Sequence, residues 1–143
     1  MRKEHKVEIQ PKPNTVKAPA QWFTGDAYFD VLAGPRPEPS RMRVNAVRFA
    51  PGARTAWHTH AVGQTLHVTE GLGLIQSRGG EIVQIHPGQT IYTPPGEWHW
   101  HGATPTDFME HLAMWEAVAD GSETTWGEHV TDEEYTATLD QRS

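Results

Sequence analysis

The chain has no cysteine. Disulfides and thiolate metal sites are therefore excluded, and any metal centre must use imidazole, amide or carboxylate ligands. Basic residues are in deficit, with 12 Lys and Arg against 18 Asp and Glu and a net charge of −6. Phosphate contacts need a basic face, so nucleic acid is excluded as the expected partner. No apolar run approaches the roughly 18 residues that a membrane span requires. The opening Met1-Arg2-Lys3-Glu4-His5-Lys6 is not followed by an apolar stretch, so no signal peptide is expected and the expected location is the cytoplasm. At 143 residues the length suits one domain with a real core.

Histidine and tryptophan are abundant. Nine His and six Trp are present, and eight of the nine His fall between His58 and His129. Residues i and i+2 of a strand share a face, so His58 and His60 aim two imidazoles at one point. Gln64 follows a short turn, Ala61-Val62-Gly63, and can bring a carbonyl oxygen there. A second pair, His99 and His101, follows the turn Pro94-Pro95-Gly96-Glu97. A lone His is ordinarily a surface residue or a satisfied core polar. Two His-x-His units in turn-punctuated strands instead read as halves of one metal site. His101, two residues past His99, points into the same space and is a candidate general base or acid. His111, on the following strand, is a weaker candidate. His67 alternates away from Gln64, His86 lies in a turn, and His5 and His129 lie near the ends; these four are given no role.

Thirteen Gly and 11 Pro cut the chain into short segments. Residues 1–20 are polar, with Pro11, Pro13 and Pro19, and read as an extended arm; residues 21–143 read as the single domain. Expected strands cover Tyr28–Leu32, Arg41–Phe49, Thr55–His60, Gln64–Thr69, Leu72–Ser77, Glu81–Ile85, Thr90–Thr93, Trp98–His101 and Phe108–Ala117, with another over Trp126–Val130. Arg78-Gly79-Gly80 marks a hairpin, and Gly102–Asp107 reads as loop. Asn45, Val47 and Phe49 form a mixed polar and apolar face suited to a pocket wall. Thr131-Asp132-Glu133-Glu134 matches a capping box and opens a short helix to about Leu139. Strands punctuated this regularly indicate an all-β sandwich or barrel.

The spacing resembles two motifs of the cupin superfamily. Gly52, His58-x-His60, Gln64 and Gly71 match the first; Gly88, Pro94-x-Gly96 and His99 match the second. The first motif usually has Glu where Gln64 stands, and the second usually has Asn where Ala103 stands. The resemblance implies a β-jelly-roll barrel holding one divalent metal on His58, His60, Gln64 and His99. Three imidazoles and one oxygen suit Mn, Fe, Co, Ni or Zn and are too rich in nitrogen for Ca or Mg. Gln64 offsets none of the ion's charge where a carboxylate would offset one unit, which favours Lewis-acid chemistry over oxygen activation.

A narrower resemblance is carried by Trp22-Phe23-Thr24-Gly25, by Pro51 to His60, by Gly63-Gln64-Thr65-Leu66, by His99 to Ala103 and by Glu128 to Glu133. These look like the small bacterial manganese cupins with hydroxynitrile lyase activity. The resemblance implies Mn(II), a small-molecule cyanohydrin substrate, a pocket-lining role for Thr55, and substrate-wall positions at Asn45, Val47 and Trp115. An inward Trp115 would shrink the pocket, so aromatic cyanohydrins are expected to fit poorly. A cupin dioxygenase or oxidoreductase, and a binding cupin without catalysis, are the alternatives. Family likeness, the proline-rich arm and a Trp22-Phe23 cluster expected to be exposed point to a homodimer or homotetramer.

Overall fold

A computed structural model describes the backbone of residues 6–142 and side chains up to residue 137. Met1–His5, at the start of the expected arm, lie outside the described residues. Residues 6–15 have no regular secondary structure. The expected arm then contributes a two-residue strand, β1 (Val16–Lys17), which pairs with β3.

Among the described residues, thirteen strands and one helix follow the turn-punctuated pattern. After β1 come β2 (Phe23–Thr24), β3 (Ala27–Ala33), β4 (Met42–Phe49), β5 (Arg54–Thr55), β6 (His58–His60), β7 (Gln64–Gly71) and β8 (Gly73–Ser77). Then come β9 (Val83–Ile85), β10 (Thr90–Thr93), β11 (His99–Ala103), β12 (Met109–Glu116), β13 (Thr124–Trp126) and α1 (Asp132–Arg142). One antiparallel sheet runs β1-β3-β4-β12-β7-β10. The other runs β13-β6-β11-β5-β2, with β8 paired to β11 and β9 to β8.

The inner faces of the two sheets meet in one core. Val47, Phe49, Leu66, Val68, Met109 and Ala113 from the first sheet pack with Ile85 and Ala103 from the second and with Ala53, just before β5. Along β7, Gln64, Leu66 and Val68 are buried while Thr65, His67 and Thr69 are half-buried. That strict period of two ties register to burial, since a one-residue slip would turn Gln64 away from the interior. The outer face of the second sheet is covered as well. Trp57, Leu74, Ile82 and Trp100 pack there with Val130 and Tyr135 from the C-terminal segment. Every residue of β11 is buried, because both of its faces are covered. Its alternation separates His99 and His101 from Trp100.

Several expected boundaries move, and three of the shifts bear on how the site is built. Thr55–His60 is not one strand, because backbone donors at its centre bond outside the ladder: Ala56 N–H to Trp22 O at 2.8 Å and Trp57 N–H to Glu128 O at 3.0 Å. Gly102 and Ala103 are strand rather than loop, with Gly102 paired to Arg54. The strand expected at Trp126–Val130 ends at Trp126, where Gly127 N–H turns to Trp57 O at 2.7 Å. The capping box forms as expected: Glu134 N–H donates to Thr131 Oγ1 at 3.0 Å and Thr131 N–H to Glu134 Oε1 at 2.9 Å. The helix is pinned by Tyr135, whose hydroxyl donates to Ala103 O at 2.5 Å, and by Arg54, which bonds Val130 O and Asp132. No helix among the described residues is long and apolar enough to cross a membrane.

Candidate metal centre

β6 and β11 lie side by side with His99 opposite His58, and strand alternation turns His58, His60 and His99 inward together. Their ligand atoms all lie within 4.8 Å of one another. Gln64 opens β7 and presents Oε1 at 3.4 Å from His99 Nε2. All four are buried.

The outer nitrogens determine the tautomers. His58 Nδ1 lies 2.9 Å from Ala56 O, and His99 Nδ1 lies 3.0 Å from Glu97 O. A carbonyl only accepts, so each Nδ1 carries the proton and each Nε2 keeps its lone pair. His60 Nδ1 meets Thr124 Oγ1 at 3.2 Å, and its buried Nε2 has no hydrogen-bond partner. Burial, reinforced by the neighbouring imidazoles, holds His58 well below the usual imidazole range and His60 at about 4; burial also lowers His99. All three are neutral at pH 7, the form that ligates. Converging lone pairs, an orphaned Nε2 and a carbonyl oxygen facing a ring nitrogen fit a divalent first-row ion.

His101 stands beside this cluster, its ring centroid 5.2 Å from that of His58. Its Nδ1 lies 3.0 Å from His111 Nε2, and its own Nε2 is unpartnered. Burial and then the adjacent His111 push His101 well below the usual range, and burial takes His111 to about 4. Thr55 Oγ1 accepts the backbone N–H of His101 at 3.2 Å, which leaves the hydroxyl proton free.

A chamber of about 250 Å³ opens over these groups. Thr55, His58, His60, Gln64, His101 and Thr124 supply its polar lining. Its walls include Asn45, Val47 and Trp115. Three expectations shift. Phe49 is not a wall: it is buried beneath the floor, with its ring 5.9 Å from His101 and 5.4 Å from His111. His111 does not line the chamber either and reaches it only through His101. Nor is the Trp22-Phe23 cluster a free surface. Trp22 stacks on Trp126 at 5.2 Å, Phe23 packs on Phe49 and Trp126, and all three line the chamber.

Sequence reasoning missed Phe29, Ala113, Thr124 and Trp126 as lining residues. Thr124 and Trp126 share a period of two, which is the signal that could have found them. Trp126 also stacks on His58 at 4.7 Å. Outside, a groove of about 660 Å³ shares Gln64 and Trp115 with the chamber.

Comparison with known proteins agrees with this geometry. The family model described as a cupin domain matches residues 45–114. An (R)-mandelonitrile lyase from Granulicella tundricola is 53% identical over 119 residues, covering 83% of this chain and 89% of that protein. A cupin-like protein from Thermotoga maritima superposes with a TM-score of 0.80 at 33% identity, covering 92% of this chain and 96% of the other. A cupin 2 conserved barrel domain protein from Rhodopseudomonas palustris gives 0.67 at 17% identity, over 95% and 93% of the two chains; this last likeness concerns the fold alone.

Proposed function

This chain belongs to the cupin family, and we propose that it is a metal-dependent hydroxynitrile lyase, which cleaves cyanohydrins to an aldehyde and hydrogen cyanide and catalyses the reverse addition. The observation that carries this reading is the convergence of His58, His60, His99 and Gln64 on one point, with the unpartnered Nε2 of His101 in the same chamber. The name of the Granulicella tundricola relative supports it.

His58, His60, His99 and Gln64 would hold the ion, with Mn(II) the proposed metal. When bound, it supplies positive charge that stabilises the departing cyanide. The neutral Gln64 leaves that charge undiminished. His101 Nε2 takes the hydroxyl proton of the substrate. The C–O bond becomes a carbonyl as the C–C electron pair leaves with cyanide, and the same proton then passes from His101 to cyanide to give HCN. His111 Nε2 accepts from His101 Nδ1–H while His101 is protonated, holding the ring in place. The free hydroxyl proton of Thr55 is available to the substrate oxygen. Trp22, Phe29, Trp115 and Trp126 enclose the organic substituent and keep water out.

A chamber of about 250 Å³ is below the roughly 300–1,000 Å³ usual for ligand sites. It suits a single-ring or small aliphatic cyanohydrin, so single-ring aromatic substrates remain within reach despite Trp115. Mn-loaded protein incubated with racemic mandelonitrile should release benzaldehyde above a metal-only control, with or without oxygen, and the reverse reaction should enrich the (R) product. No release above the control would sink the proposal, and strict dependence on oxygen would favour an oxygenase. His101→Ala should lower kcat by about 10²–10⁴-fold at unchanged metal content.

A further inference from the structure

The three imidazoles are oriented by unequal means. His58 and His99 each send Nδ1–H to a carbonyl two residues earlier in the chain, Ala56 O and Glu97 O. Those acceptors are backbone atoms next to the ligand, present whatever side chain stands there. His60 has no such local acceptor. Its Nδ1 meets a hydroxyl 64 residues away, Thr124 Oγ1 at 3.2 Å. The acceptor arrives there because β13 pairs with β6 so that Thr124 lies opposite His60.

A hydroxyl both donates and accepts, so this contact alone permits two tautomers. The far nitrogen decides between them. His60 Nε2 is buried without a hydrogen-bond partner and, left unprotonated, adds its lone pair to those of His58 and His99. The consistent state has Nδ1–H donating to Thr124 Oγ1 and the Nε2 lone pair facing His58 and His99. We propose that Thr124 is the positioning residue of the metal centre: its hydroxyl accepts the Nδ1–H of His60 and holds that ring's orientation, His60 being the one imidazole of the three with no backbone acceptor at Nδ1. This rests on the metal-centre reading above. It also gives β13, a short strand outside both histidine motifs, a part in assembling the site. Groups that hold the outer nitrogen of a ligating His typically change metal affinity by about 10–100-fold when removed.

The test is titration of metal-free protein with Co(II), followed by visible absorption. Thr124→Val keeps the branched shape, removes the acceptor and should weaken binding by about 10–100-fold. Thr124→Ser should restore affinity to near the parent value, and Thr125→Val, altering the exposed neighbour, should leave it unchanged. ¹⁵N imidazole shifts of His60 in the unmutated, metal-free protein should show Nδ1 protonated. A Thr124→Val protein that binds Co(II) like its parent overturns the proposal, as does an Nε2-protonated His60, and the latter needs no variant to fold. A parent protein that binds no divalent ion overturns the metal-centre reading itself, whereas equal binding by parent and Val variant overturns only the role of Thr124.

Discussion

His111 is fully buried, and its Nε2 lies 3.0 Å from His101 Nδ1. A group so enclosed resists protonation, and burial places it at about 4, against 6.5 for an ordinary imidazole. The unfolded chain takes up its proton first as pH falls. Above pH 6.5 His111 therefore leaves stability unchanged, and between 6.5 and 4 it withdraws stability progressively, by about 2 kcal/mol at pH 5. Urea midpoints of metal-free protein should be lower at pH 5 than at pH 7.5, and His111→Phe should reduce that difference. An equal pH dependence in parent and variant would contradict the assignment. The sequence could place His111 on the inward face of its strand by alternation with Met109 and Ala113. It could not show that Phe49 fills the space beside it and leaves it contact with the chamber only through His101.

Among the elements, β11 is the most constrained. It carries His99 and His101, and it is flanked by β8 on one edge and by β5 and β6 on the other. Gly102 makes the close approach to β5 possible. A Cβ there would lie 2.4 Å from Ala53 O and 2.6 Å from Arg54 Cα, both backbone atoms. Gly102→Ala must push β5 and β11 apart, at a cost of about 1–3 kcal/mol. Its melting temperature should fall by roughly 3–10 °C, with metal affinity falling too because His99 rides on the displaced strand. An unchanged melt would show that the strands yield more easily than this packing implies. The expected end of this strand at His101 failed for the same reason. Gly-Ala-Thr-Pro reads locally as a turn, yet Gly102 and Ala103 are held in the sheet by partners some 50 residues earlier.

On the scale of the molecule, function depends on what separates the inner chamber from the outer groove. Gln64 and Trp115 border both spaces, of about 250 and about 660 Å³, and Trp115 lies opposite Gln64 in the β12–β7 register. The indole is therefore a partition between the candidate metal centre and the outside. Trp115→Ala should join the two spaces. The ratio of kcat/KM for a two-ring cyanohydrin to that for mandelonitrile should rise by about tenfold or more, while metal content stays unchanged because Gln64 is retained. A variant with the parent ratio would mean that size is selected elsewhere, at Trp22 and Trp126.

The sequence by itself determined which imidazoles share a face. Alternation along a strand is local, so His58 with His60, and His99 with His101, had to share faces wherever their strands went. The Gly and Pro turns bounded those strands, and the capping box at Thr131 started the helix, by equally local rules. Only the tertiary structure decided which residues lie across from one another. Thr124 at His60, His111 at His101, Trp126 on His58 and Trp115 beside Gln64 all arise from strand register and from the closing of two sheets over one core. Those are agreements between segments far apart in the chain. No local pattern encodes them, because each depends on where a second strand comes to rest.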